Sequence, residues 1–148
     1  MRLTGLIGLW LLIAAVNLAA CATSEPPPPN LYKRLGGREG ISIVVGDFVT
    51  NMAADSRVNA RFKDMKGPEI EKLKSNLADQ ICDATGGPCS YLGRDMKTVH
   101  KGLKITEAEW NATVENLVKA LDKNNVGAQT KTELLGALAP MKADIVGQ

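Results

Sequence analysis

The sequence predicts an all-α domain, and three observations predict it. Apolar residues recur at spacings of three and four along four separate segments, the period that lines one face of a helix. One of those segments opens with Thr106-Glu107-Ala108-Glu109, a capping box. No stretch alternates apolar and polar residues convincingly, and the one β-branched run, Ile41 to Val45, falls inside a helical period.

The helical domain does not begin at residue 1. Arg2 gives a short positive start, and the run GLIGLWLLIAAVNLAA that follows is almost wholly apolar and ends in small residues. Residues 1–20 therefore read as a signal peptide, not a spanning helix. Leu18-Ala19-Ala20-Cys21 resembles a bacterial lipobox, which implies cleavage before Cys21 and acylation of that cysteine; ordinary cleavage leaving a free thiol is the alternative. More than one acyl chain gives durable anchoring, at roughly 0.8 kcal/mol per buried methylene. Residues 21–30 then form the lipidated cysteine and a linker whose four consecutive prolines favour an extended spacer. Ala22 after the cysteine, by similarity to lipoprotein sorting rules, implies the outer membrane. The expectation is an exported domain tethered in a bacterial envelope, with the membrane as one partner.

Residues 31–148 are one domain by length. The net charge of +2 is spread over mixed acids and bases, so no basic stripe argues for nucleic acid. Aromatics at 4% are too few for a base-stacking platform.

Each helix has its own signal. From Gly40, the residues Ile41, Val44, Val45, Phe48, Val49 and Met52 form one apolar face after the turn Leu35-Gly36-Gly37. Glu69 to Ala84 repeats the pattern with Ile70, Leu73, Leu77, Ile81 and Ala84, opened by Pro68 and stopped by Gly86-Gly87-Pro88; Gln80 sits on the stripe's edge. The capping box launches a helix bearing Trp110, Val114, Leu117, Val118 and Leu121. The last, about Thr130 to Ile145, is expected to kink or break at Pro140.

Between the second and third of these lies a glycine-bounded segment, Leu92 to Leu103, carrying His100, the chain's sole histidine. If it forms a turn or two of helix, Met96, Val99, His100 and Leu103 share a face. Three readings compete for the imidazole: a satisfied core residue, an exposed polar residue, or the only protein ligand of a metal cofactor. A bare zinc or iron ion wants three or four protein ligands, and no cluster supplies them. Haem brings four nitrogens of its own and needs one.

Here a resemblance enters. LYKRLGG at 31–37, VVGDF at 44–48, GGP at 86–88 followed by Tyr91, GRDMKTVHKGLKIT at 93–106 and LAPMKADIV at 138–146 together resemble a group 1 truncated haemoglobin, in order along the whole domain. The lipobox, the cysteine spacing and the ending resemble a proteobacterial lipoprotein branch of that family. The resemblance implies a two-over-two helical sandwich around haem b (iron protoporphyrin IX), with His100 as proximal iron ligand and a diatomic gas as the bound partner. It also implies haem-lining roles for Phe48, Val49, Phe62, Leu73, Leu77, Gln80, Ile81, Met96, Val99, Ile105, Trp110 and Leu138. Plain core packing would bury most of these residues equally well.

The departures from the family pattern matter as much. Many members carry a tyrosine after the phenylalanine of VVGDF and a glutamine further along the chain; this chain has Val49 and Leu77 there. Losing a buried donor forfeits on the order of 1 to 3 kcal/mol in stabilising bound oxygen, or about ten- to hundredfold in affinity. Gln80, one turn beyond Leu77, is either the remaining donor or a rim residue. A second histidine ligand is impossible. Tyr91, Arg94 and Lys97 fit haem propionates or solvated surface equally.

With Cys21 taken by lipid, Cys82 and Cys89 are the remaining thiols, flanking the Gly86-Gly87-Pro88 turn in an oxidising compartment. A disulfide there is expected over free thiols, at roughly 2 to 3 kcal/mol for so short a loop. Reversible binding of oxygen, nitric oxide or carbon monoxide is the expected activity. The alternatives are oxidation of nitric oxide to nitrate, which needs a reductase as a further partner, a haem-based gas or redox sensor, and a haem-free helical lipoprotein.

Overall fold

A computed structural model describes residues 28–148, so the signal-peptide, lipobox and Cys21 expectations lie outside the described residues. The elements in order are α1 (Leu31–Arg34), α2 (Gly37–Ala54), a 3-10 turn (Asn59–Arg61), α3 (Gly67–Ala84), α4 (Met96–His100), α5 (Glu107–Lys123), α6 (Ala128–Leu138) and a second 3-10 segment (Ala139–Asp144). Among the described residues the extended pairing is a single parallel bridge between Ile105 and Val146.

Start and stop chemistry accounts for the boundaries. Asn30 caps α1, its Oδ1 accepting from the Lys33 amide at 3.0 Å, while its Nδ2 donates to the Gly86 carbonyl at 2.9 Å and so ties α1 to the end of α3. At the opening of α2, a side chain on Gly40 would collide with the Leu35 carbonyl, which is why the chain can turn so tightly there. At the start of α3 the Lys66 amide donates to the Glu69 carboxylate at 2.8 Å, and Pro68 occupies the first turn, where a missing N–H costs nothing. The α5 box is made as expected, with the Glu109 amide donating to the Thr106 hydroxyl at 3.2 Å and Glu109 Oε2 accepting from the Thr106 amide at 2.9 Å. The last helix breaks rather than kinks. It ends at Leu138, and Ala139–Asp144 continues as 3-10 because Pro140 has no N–H for an α-helical bond to the preceding turn.

Packing joins α2 to both α3 and α5, and α5 to α6. At one end of the α2–α5 contact, Lys123 Nζ lies 2.6 Å and Asn124 Nδ2 2.8 Å from the Asp47 carboxylate. At the other end, Asn51 Nδ2 donates to the Asn116 carbonyl at 3.2 Å and the Asn116 amide donates to Asp55 at 2.8 Å, so the two helices run antiparallel. Asn116 is buried yet satisfied, its Nδ2 also donating to the Ala112 carbonyl at 2.9 Å. Hydrogen bonds from Arg57, and then from Asn116, hold the Asp55 carboxyl well below the usual carboxylate range. Between the fastenings lies the core, where Ile41, Val45, Leu121 and Leu134 are at most 1% exposed. Each such side chain stabilises the fold by about 1.5–3 kcal/mol through burial.

The segment after α3 is fixed by short links. Cys82 and Cys89 are joined, with Cα atoms 5.8 Å apart. Gly87 lies against Cys82 Sγ and the Tyr32 ring, where a β-carbon would not fit. The Tyr91 amide donates to Asp83 at 3.2 Å and its hydroxyl to the Arg94 carbonyl at 2.8 Å, which shapes the turn that delivers α4. The C-terminus closes behind α4, with the Lys104 amide donating to the Gln148 carbonyl at 2.6 Å and Gly147 to the Ile105 carbonyl at 2.9 Å.

Candidate functional site

Helix α4 has five residues and none is buried. Isolated helices this short do not form in water, so tertiary contacts must hold it. Asp95 is its N-cap, accepting from the Thr98 amide at 2.9 Å. Hydrogen bonds from the Thr98 side chain and then its amide keep the Asp95 carboxyl below the ordinary range. On the other side α4 rests against the 3-10 segment Ala139–Asp144.

His100 closes the helix. Its Nδ1 lies 2.8 Å from the Met96 carbonyl oxygen. A carbonyl can only accept, so Nδ1 carries a proton, and in the neutral imidazole the lone pair is on Nε2. Ligating histidines are held this way, the second nitrogen bonded to a backbone carbonyl that fixes ring orientation and raises basicity.

The imidazole lines a cavity of about 650 Å³, within the roughly 300–1,000 Å³ of small-molecule and cofactor sites. Of the residues expected to line it, α2 supplies Phe48, the loop before α3 supplies Phe62, and α3 supplies Leu73, Leu77, Gln80 and Ile81. From α4 come Met96, Val99 and His100, while Ile105, Trp110 and Leu138 complete the far wall. Val49 is not among the lining residues. It lies about 100° round the helix from Phe48 and is packed in the core at 3% exposure. Tyr91, Arg94 and Lys97 do not line the cavity either.

Two polar features escaped the sequence pattern. Arg61 donates through Nη1 to the Leu103 carbonyl and through Nε to Glu109, both at 2.8 Å, so one guanidinium joins the turn after α2 to the loop after α4 and to α5. Hydrogen bonds from Thr106, then Arg61, hold the Glu109 carboxyl below its usual range. The second feature concerns Gln80, whose Nε2 is 3.2 Å from Met96 Sδ and 3.3 Å from Met141 Sδ. All four methionines of the described residues, Met52, Met65, Met96 and Met141, line this one cavity. Thioethers are polarizable and fit irregular apolar space against flat aromatic groups.

The donor set fits one kind of cofactor. Among the described residues no three His, Cys, Asp or Glu side chains gather as a metal cage. One oriented imidazole in a cavity walled by Phe, Leu, Ile and Met instead suits a flat apolar macrocycle that brings its own equatorial nitrogens.

Comparison with known proteins agrees with this chemistry. The family model for bacterial-like globins matches residues 30–146. A group 1 truncated hemoglobin of Mycolicibacterium paratuberculosis is 34% identical over 118 residues, covering 80% of this chain and 85% of that one. The group 1 truncated hemoglobin of Tetrahymena thermophila is 28% identical over 81% of this chain and 97% of its own length. Among solved structures, the truncated hemoglobin of Tetrahymena pyriformis in its Fe(III) form superposes with a TM-score of 0.76 at 26% identity, over 81% of this chain and all (100%) of that one. The 2/2 hemoglobin of a Synechococcus species, with covalently attached heme, gives 0.73 at 27% identity over 81% of this chain and 100% of its own. With a sole histidine oriented into an apolar cavity and a helical fold shared along its length, the chain belongs to the bacterial-like globins and, within them, to the group 1 truncated hemoglobins.

Proposed function

We propose that this globin carries haem b on His100 and reversibly binds a diatomic gas, and that it works exported and lipid-anchored through Cys21. The observation that carries the first half is the His100 hydrogen bond. With Nδ1 committed to the Met96 carbonyl at 2.8 Å, the Nε2 lone pair is left as an oriented metal ligand on the cavity wall. Haem, when bound, would supply an iron able to bind a small gas reversibly. His100 would hold the iron from one side. Phe48, Phe62, Leu73, Leu77, Met96 and Val99 would exclude water from the cofactor faces, which favours retention of a hydrophobic plate and keeps bulk solvent from the gas site. The Arg61 link between the two sides of the cavity would restrain their separation.

The test is a set of visible spectra of the full-length protein purified with haem, in ferric, ferrous and carbon monoxide forms, beside His100→Ala. We expect an intense Soret band that shifts with carbon monoxide in the wild type and is lost or grossly altered in the variant. A variant spectrum identical to wild type would remove His100 from the iron.

Support for the anchor is the order of signals at the N-terminus: an apolar leader, small residues, Cys21, then a proline spacer before the domain begins at Leu31. Among the described residues no helix is long and apolar enough to cross a membrane. Incorporation of a labelled fatty acid in a bacterial host should depend on Cys21 and vanish in Cys21→Ser, with the protein leaving the detergent phase. In such an oxidising compartment the Cys82–Cys89 pair would stay bonded.

A further inference from the structure

We infer that the gas this cavity is built to hold is one that needs no donated hydrogen bond, carbon monoxide or nitric oxide in preference to oxygen. The inference rests on the haem reading above and on the polar hydrogens that line the cavity. Helices α2 and α3 present Phe48, Met52, Leu73, Leu77, Gln80 and Ile81 to the cavity, and Gln80 alone among these carries side-chain N–H groups. Its Nε2 has two hydrogens and two sulfur partners, Met96 Sδ at 3.2 Å and Met141 Sδ at 3.3 Å. The amide is thereby drawn toward α4 and the C-terminal segment, and both of its hydrogens are engaged.

Thr113, Arg61 and His100 are engaged as well. The Thr113 hydroxyl donates to the Glu109 carbonyl at 2.8 Å, and Arg61 is taken by Glu109 and the Leu103 carbonyl. His100 spends its proton on Met96. Among the described residues, one side-chain donor lining the cavity lacks an acceptor, the Trp110 indole, and it stands on α5, outside the α2–α3 wall.

Bound oxygen draws electron density onto its outer atom and gains from a donor. Carbon monoxide and nitric oxide polarise less and lose little without one. The donors and polarity of a distal pocket are what separate gas binding from oxygen activation. A wall with no uncommitted donor therefore penalises oxygen selectively, by roughly ten- to hundredfold relative to the same wall with a buried donor.

The experiment is the C–O stretching frequency of the full-length ferrous protein under carbon monoxide, in H2O and in D2O, together with the oxygen dissociation rate. A donor touching the ligand lowers the stretch and makes it sensitive to deuterium. We expect a high frequency, unmoved by D2O, and fast oxygen release. Leu77→Gln should introduce a D2O-sensitive component at lower frequency and slow oxygen release roughly ten- to hundredfold. A D2O shift in the wild type would overturn the inference while leaving the haem assignment intact, and its loss in Trp110→Phe would name the donor. Failure of the wild type to bind haem or carbon monoxide would overturn both.

Discussion

The α2–α5 scaffold and helix α4 are stabilised in opposite ways. The scaffold helices run for 18 and 17 residues, with buried stripes that include Ile41, Val45, Ala120 and Leu121. Helix α4 runs for five residues with nothing buried. Burial holds the first; individual hydrogen bonds at Asp95, Tyr91 and His100, and the closing C-terminal segment, hold the second. The chemistry has been assigned to the part with the least intrinsic stability. A short element with few buried contacts opens locally at a free energy well below global unfolding. Cofactor loss and unfolding should therefore be separable, and each of the following perturbations tests whether they are.

The largest effect on the scaffold should come from Leu121→Ala, at a position that is fully buried, 0% exposed. A cavity there should cost about 2–5 kcal/mol and lower the thermal midpoint by many degrees, as followed by far-ultraviolet circular dichroism. Haem should then leave in step with unfolding and not before it. Early cofactor release in this variant would mean that α4 leans on the scaffold more than its own contacts indicate.

Reducing the link between Cys82 and Cys89 should come next. Its loop spans a sequence separation of 7, so the entropy released to the unfolded chain is worth about 2–3 kcal/mol. The link joins the end of α3, one residue past Ile81, to the turn that delivers α4. Haem transfer to apomyoglobin should accelerate with reductant more than the loss of global stability alone predicts. Equal changes in both would assign the bond to the scaffold.

Much of this division was legible beforehand. The Met96, Val99 and His100 face follows from three- and four-residue spacing, and the Thr106–Glu109 cap from a local motif that needs no tertiary partner. Phe62 came through likeness to a family, because the irregular stretch around the 3-10 turn carries no period to assign it. What escaped depends on partners distant in sequence. Arg61 reads as one of several middle-region cations until Leu103, 42 residues away, supplies the carbonyl that captures it. Gln80 reads as a stripe-edge donor until two thioethers, 16 and 61 residues away, take its hydrogens. Val49 shows the converse, where a place taken over from a pattern built on tyrosine does not carry the short side chain to the cavity.

The smallest and most specific perturbation is at Asp95. Its carboxylate caps α4, and its affinity for a proton is lower folded than unfolded. A group whose folded value is depressed contributes stability that is fully present above its ordinary value, about 3.9, and disappears as pH falls through the lower folded value. Near neutral pH the cap is intact and Asp95→Asn should behave as wild type, since asparagine caps as well as aspartate. Asp95→Ala removes the acceptor altogether and should release haem faster at neutral pH, with little change in the thermal midpoint. As pH falls through the lower folded value the order should change. Wild type loses its cap by protonation and converges on Asp95→Ala, whereas Asp95→Asn has nothing to titrate and keeps its haem longest. Measuring haem transfer for the three proteins from pH 7 down to pH 3 isolates this group from other titrating carboxylates, which all three share. Three parallel curves would mean that the closing C-terminal segment, not the cap, keeps His100 on the cavity wall.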